Sequence, residues 1–305
     1  MLQLLLGGSG SGKTTLLYQR IRARAEKGEK SILLVPEQFT SSTEGRIYRE
    51  LGDALSGMVE SFSFTSLAEK ILSTEGGAAV QTLSDAGRAV LVRRALEELQ
   101  DNVHYYHRHR RSAAFCQMAA QTIDELKSAG LSGQQLAQLA GACGAESGKL
   151  SELALIFQGY ETLLARSGMD PSDRLELAGA RLEEALARHS LPEFLRDRAV
   201  FIDEFDTFNA PKKRLLGAML AALPSVTVAL CDDGAPLLPG DLSLFSGAKQ
   251  VAAQLRQLAR KNGAEVAVPQ LLRKDLRHRN APGLAAVAEL LETCLLYTSP
   301  SPRDP

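Results

Sequence analysis

Apolar residues recur along this chain in two rhythms, and the change between them divides it. Residues 1 to about 75 alternate short apolar runs with amphipathic stretches. Leu2 to Leu6, Ser31 to Val35 (ended by Pro36) and Val59 to Ser63 have the length and continuity of buried strands. Thr14 to Ala25 and Thr65 to Ser73 instead carry apolar residues at helical spacing. In the first of these, Leu16, Leu17 and Ile21 fall on one side, with Arg20, Arg22 and Arg24 mostly on the other. From Gln81 to about Arg196 strand patterns vanish, and helical stretches follow one another over 85–99, 113–129, 132–140, 149–167 and 172–189. Ser84 or Asp85 caps one of them, and Asp170 before Pro171 caps another, with proline in a first turn where its missing N–H costs nothing. Strand-type runs return at Ala199 to Ile202 and Val226 to Leu230 with a helix, 211–223, between them. A helix over 248–262 and a strand at Glu265 to Val268 follow. Alternating strands and helices imply a parallel sheet covered by helices. The pattern predicts an α/β domain built from residues 1–75 and 197–292, with an all-helical insertion over 76–196. No internal repeat is visible.

Beyond Glu292 the helical rhythm breaks into Leu295 to Pro305, a Pro/Ser-rich ending. It reads as translated adapter or cloning sequence, with a genuine linker as the alternative, so 293–305 is set aside as a non-native tail. The natural protein is expected to continue past this point.

The most specific chemistry sits between the first strand and the first helix. Gly7-Gly8-Ser9-Gly10-Ser11-Gly12-Lys13-Thr14 fits the pattern G-x-x-x-x-G-K-[ST] at every fixed position. Glycines let the backbone turn tightly and approach a ligand, while successive N–H groups and a helix N-terminus make an anion cradle. The predicted nucleotide-binding residues are Gly7, Gly8, Ser9, Gly10, Ser11, Gly12, Lys13, Thr14 and Thr15. Lys13 is expected to reach the β- and γ-phosphates, and the Thr14 hydroxyl to hold Mg²⁺. A phosphate loop of this kind needs an acidic partner at the end of a buried strand, and Ala199-Val200-Phe201-Ile202-Asp203-Glu204 supplies one. Asp203 is expected to hold Mg²⁺, mostly through water. Glu204 could orient and deprotonate an attacking water, making Lys13 and Glu204 the expected catalytic residues. ATP and Mg²⁺ are the implied ligands. Leu131-Ser132-Gly133-Gln134-Gln135 approximates the signature loop of ABC transporters. There, however, that loop lies shortly before the acidic strand; here several helices intervene, and Ser132 as a helix cap explains the run better.

Composition narrows the partners. With 305 residues, 45% hydrophobic and 23% charged, the chain reads as soluble and globular. Lys plus Arg (35) nearly cancel Asp plus Glu (36), so any nucleic-acid contact must rest on a local patch. The four cysteines, Cys116, Cys143, Cys231 and Cys294, form no C-x-x-C pair, which argues against a zinc site or disulfide framework and fits a reducing compartment. No apolar run has the length of a membrane span, and the chain opens directly into its first strand, leaving no room for a signal peptide. A cytoplasmic protein is expected.

A helical insertion after the third strand resembles superfamily-one helicases, whose RecA-like first motor domain carries such a subdomain. Several blocks are similar to the N-terminal region of the AddB family, the B subunits of bacterial AddAB helicase–nucleases. They are Leu34-Val35-Pro36-Glu37-Gln38-Phe39-Thr40, Ser61-Phe62-Ser63-Phe64-Thr65-Ser66-Leu67-Ala68, Leu83-Ser84-Asp85-Ala86-Gly87-Arg88-Ala89 with Arg93-Arg94-Ala95-Leu96, Ile123-Asp124-Glu125-Leu126-Lys127 and Ile202-Asp203-Glu204-Phe205. The resemblance runs to about Leu290. It implies a P-loop NTPase fold and an ATP- and DNA-binding region of a complex that processes double-strand breaks for homologous recombination, with an AddA-type subunit as the main motor. It also implies an iron–sulfur nuclease domain and a second motor domain with an arginine finger, both beyond this chain, so little turnover is expected from this part alone. Two departures stand out. Only Met1 to Leu6 precede the glycine loop, leaving no place for an upstream adenine-reading Gln, and Glu204 stands where relatives often have Gly.

The resemblance also implies that Ser63, Phe64, Thr65 and Ser66 touch single-stranded DNA, hydroxyls to phosphate and the ring to a base. Phe64 packing in a core is the alternative. Tyr105-Tyr106-His107-Arg108-His109-Arg110-Arg111 interleaves aromatics and cations, making Arg108, Arg110 and Arg111 further DNA candidates, against a plain solvated loop. His278, between Arg277 and Arg279, is read as a surface residue without a role. Two other functions stay open on the sequence: a stand-alone P-loop enzyme such as a small-molecule kinase, and a nucleotide-stabilised scaffold for a motor subunit.

Overall fold

The computed structural model describes residues 1–79, 81–144, 147–241 and 243–293. In chain order the elements are β1 (Leu2–Gly7), α1 (Lys13–Ala25), β2 (Ser31–Leu34), α2 (Thr40–Leu51), α3 (Asp53–Ser56) and β3 (Val59–Phe62). A helical series follows: α4 (Phe64–Glu75), α5 (Asp85–Glu98), α6 (Ala113–Ser128), α7 (Gly133–Ala140), α8 (Ser147–Ser167) and α9 (Pro171–Ala187). Then come β4 (Ala199–Ile202), α10 (Ala210–Ala222), β5 (Ser225–Cys231), α11 (Ser246–Lys261), β6 (Gln270–Leu272) and α12 (Pro282–Thr293).

The chain forms two compact units. The first comprises Met1–Ser63, Glu193–Phe208 and Met219–Pro305, the second Phe64–Pro192 and Asn209–Ala218. The first unit holds a six-stranded, all-parallel sheet in the order β3-β2-β4-β5-β1-β6. Its four central strands are buried on both faces, which is why they read as continuous apolar runs and not as alternating ones. Leu5, Leu33, Val35, Phe201 and Ala229 share a core with Leu17, Tyr18 and Ile21 of α1 and Ile47 and Leu51 of α2. Helix α11 packs on β1 and β5.

In the second unit α5, α6 and α8 enclose Val92, Leu96, Ile123, Phe157 and Tyr160, all at most 1% exposed. Its helices start where the side chains allow. Ser84 Oγ accepts the Gly87 N–H at 3.2 Å. Ser132 and Gln135 form a reciprocal capping box, which accounts for the transporter-like run. Pro171 occupies the first turn of α9 behind Asp170. Helix α4 belongs to this unit, which begins at Phe64.

Two expectations need correction. Glu265 to Val268 is not a strand: Val266 makes an isolated bridge to Leu2, and the sheet's edge strand is Gln270–Leu272. Pro269 breaks the run, since proline has no N–H to give to a ladder, and Val268 is left 86% exposed. Helix α2 follows β2 where the sequence pattern predicts no helix. Its Thr-Ser-Ser-Thr-Glu-Gly opening has poor helix propensity, but Thr43, Ile47 and Leu51 repeat at helical spacing and are buried. Helix α12 carries the helical rhythm that breaks after Glu292 in the sequence. Cys294 and the suspected tail, 295–305, lie outside the described residues. No described helix is long and apolar enough to cross a membrane.

Candidate functional site

In a parallel sheet all strands end at the same edge, and in open α/β sheets that edge is where ligands bind. Here the register sets Gly7 beside Cys231 and Leu272, and Ile202 beside Leu34 and Val228. The loops after β1, β2, β4, β5 and β6 therefore share one rim. With β5 between them, β1 and β4 are two strand spacings apart, about 10 Å. Side chains from α1 can span that gap.

The glycine loop needs its glycines. Gly10 (φ 80°) and Gly12 (φ 89°) are left-handed, and Gly12 is the residue from which α1 starts. A Cβ on Gly7 would strike Ser11 Oγ and come within 2.6 Å of the Leu272 carbonyl oxygen. Ser11 is 6% exposed, and its Oγ is buried without a hydrogen-bond partner. An orphaned hydroxyl in a glycine cradle is a donor held ready for a ligand oxygen. Lys13 Nζ folds back on the Gly7 and Gly8 carbonyls, at 2.8 Å each. Thr14 lines the same cleft as Asp203, and its hydroxyl works to hold the Asp203 carboxyl pKa down.

Asp203 is 6% exposed at the end of β4; its N–H donates to the Leu34 carbonyl at 3.1 Å. Burial raises its pKa above the ordinary carboxylate value, against the opposing pull of Thr14, the Glu204 N–H and the charges of Lys13 and Arg46. Glu204 is exposed; its pKa is raised by partial burial and by the neighbouring Asp203. Its backbone is left-handed (φ 64°), a conformation costing a non-glycine residue about 1–2 kcal/mol.

Gly10, Gly12, Lys13, Thr14, Thr15, Asp203 and Glu204 line one cleft of ≈ 720 Å³ with two cations absent from the sequence-based set, Arg46 and Arg277, while Gly7, Gly8 and Ser11 line a second one beside Asp232 and Asp233. Arg46 sits on the unanticipated α2. Arg277 reaches the loop across a long stretch of sequence, Nη1 donating to Ser9 Oγ at 3.1 Å while the adjacent Leu276 N–H donates to the Gly10 carbonyl at 3.0 Å. Nothing local in the sequence signals either. His278 is not idle: its Nδ1 lies 2.8 Å from Asp275 Oδ2, within the turn that carries Arg277.

The glycine cradle, the orphaned Ser11 hydroxyl and the Thr14–Asp203 pair fit a nucleotide's phosphates and an oxygen-bound divalent ion. Among the described residues no cluster of three or more His, Cys, Asp or Glu could hold a metal by itself, so such an ion would need the phosphates as further ligands. Cys116 and Cys143 form no disulfide among the described residues.

The anticipated DNA set divides. Ser63 (4% exposed) belongs to the first unit; Phe64, Thr65 and Ser66 belong to the second. Phe64 is 2% exposed, with the Lys212 ammonium 5.6 Å from its ring centroid, so the ring packs in a core and offers no free face to a base. Thr65 and Ser66 are exposed. Arg108 and Arg111 are exposed as well, and Arg110 Nη1 lies 3.2 Å from His107 Nδ1.

A family model described as "ADDB, N-terminal" matches residues 4–288. The chain is 34% identical over 296 residues to the B subunit of the ATP-dependent helicase/deoxyribonuclease of Desulforudis audaxviator, covering 93% of this chain and 25% of that protein. It is 33% identical over 299 residues to the protein of the same name from Moorella thermoacetica, again 93% and 25%. The Clostridium perfringens protein matches at 29% over 283 residues, 91% of this chain and 24% of its own length. The chain thus spans about a quarter of the relatives it matches. With the family match running over nearly all its described residues, this chain belongs to the ADDB family, in the region described as N-terminal.

Proposed function

We propose that this chain is a P-loop NTPase domain with a helical insertion, the ATP·Mg²⁺- and DNA-binding N-terminal region of a helicase–nuclease subunit. The observation that supports the reading is the meeting of the glycine loop's Gly10, Gly12 and Lys13 with Thr14 and Asp203 in one cleft at one sheet edge. Gly7 to Gly12 would receive phosphate oxygens on backbone N–H groups and on Ser11 Oγ. Lys13 would exchange two carbonyls for phosphate. Thr14 and Asp203 would hold Mg²⁺, which supplies charge neutralisation at the phosphates. Glu204 would orient water. The relatives are named as parts of an ATP-dependent helicase and deoxyribonuclease, which supports ATP and DNA as ligands. That each is one subunit of a larger enzyme supports an AddA-type partner in double-strand-break repair.

Exposed Thr65, Ser66, Arg108 and Arg111 are the candidates for DNA contact. The reading is tested by anisotropy titrations of labelled single-stranded DNA across salt, with and without Mg²⁺ and an ATP analogue. Binding should be weak. Each neutralised phosphate contributes about −0.7 to the log–log salt slope, so Arg108, Arg110 and Arg111 replaced together by Ala should flatten it by roughly 2. An unchanged slope removes this run from the DNA path. Absence of DNA binding at any salt, with nucleotide binding intact, would favour the scaffold role.

A further inference from the structure

Arg46 stands on α2, fixed there by buried Thr43 and Ile47 on either side of it in sequence. Its guanidinium rests 4.9 Å from the centroid of the Tyr18 ring. Tyr18 follows Thr14 by one turn of α1, so the two side chains share a helix face about 5–6 Å apart. Thr14 in turn lines the same cleft walls as Asp203. Arg46 therefore stands at the wall of the cleft that Thr14, Tyr18, Asp203 and Glu204 share.

Arg46 makes no hydrogen bond or ion pair among the described residues; the ring contact is its partner. Yet its charge is felt by both carboxylates and by Tyr18, whose hydroxyl burial pushes up to about 12 against Arg46's opposing pull. A guanidinium carries five donors in a planar fork suited to two phosphate oxygens. Held on an aromatic ring, it loses little freedom on binding an anion.

Building on the nucleotide reading, we infer that Arg46 binds the terminal phosphate of a nucleoside triphosphate, and so makes this site distinguish triphosphate from diphosphate. Lys13 and the glycine loop serve the phosphates both nucleotides share. Arg46 serves the one that only the triphosphate has, beside the carboxylates expected to hold the metal and the water.

The test is calorimetric titration of the chain, with Mg²⁺, against ADP and against a non-hydrolysable ATP analogue. Arg46→Ala should weaken analogue binding about 10-fold to 100-fold, one charge-assisted bidentate contact, and leave ADP affinity within about twofold. Arg46→Lys should recover part of the loss. Arg46→Gln keeps the stem over Tyr18 without the charge and serves if the Ala variant fails to fold; it should behave as Ala does. Equal weakening of both nucleotides, or no change in either, overturns the inference while leaving the nucleotide site standing. A wild-type chain that binds neither overturns the nucleotide reading and the inference with it.

Discussion

Asp170 and Asp203 are both carboxylates taken nearly out of water, 1% and 6% exposed, in the helical and the sheet unit respectively. Asp170 is fully served within its own unit. Tyr160 donates its hydroxyl at 2.6 Å and Lys127 its ammonium at 2.8 Å, while the same ammonium reaches Asp173 at 2.6 Å. Burial alone would depress the Lys127 pKa, but Asp170 and Asp173 outweigh it and hold it above the ordinary lysine value. Asp203 has a hydroxyl and one adjacent N–H, and the nearest lysine is bound to two carbonyls instead. Burial wins there and raises its pKa. A balanced buried charge holds a fold together; one left wanting a cation marks a place where an ion from outside fits. Glu152, which accepts N–H groups of His104, Tyr105 and Tyr106 on a buried carboxylate, belongs with Asp170.

The contrast puts the largest effect in the helical unit. Lys127→Met leaves Asp170 buried without its cation and should cost about 3–5 kcal/mol of stability, measured by urea unfolding, with nucleotide affinity unaltered in the folded fraction. A loss under about 1 kcal/mol would mean that Asp170 is not held as an ion pair.

A smaller effect, of opposite sign, is expected at Asp203. Its folded pKa lies above the unfolded value of about 3.9, so the native state binds more protons through the window between them. Stability contributed by this group therefore falls as pH rises through that window, and the cost is fully present above the folded pKa. Asp203→Asn removes the charge, so it should melt higher than wild type at about pH 7, with the gain vanishing below about pH 4 where both are neutral. A lower melting temperature at neutral pH would show that Asp203 is stabilising and would erase the contrast.

Much of the sheet unit was legible because its signals are local. A strand, a glycine run with Lys-Thr and a helix are contiguous, and Asp203 follows four apolar residues of a buried strand. What escaped was set by tertiary contact. Helix α2 forms despite Thr, Ser and Gly because Thr43, Ile47 and Leu51 are buried, the last two against the sheet, and Arg46 came with it unseen. Arg277 meets Ser9 only because β6 pairs with β1. Phe64 could be read as stacking platform or core residue, and burial decided for core. The Glu204 backbone explains why glycine would suit its position: the chain turns left-handed there immediately after Asp203.

The central claim is that Lys13 and its loop bind a nucleotide through phosphate. Equilibrium titration of a fluorescent ATP analogue with Mg²⁺ tests it in wild type and in Lys13→Ala, whose fold should be intact because the ammonium meets only loop carbonyls. The account predicts saturable binding by wild type and none by the variant at equal melting temperature. Undiminished affinity in Lys13→Ala would contradict it.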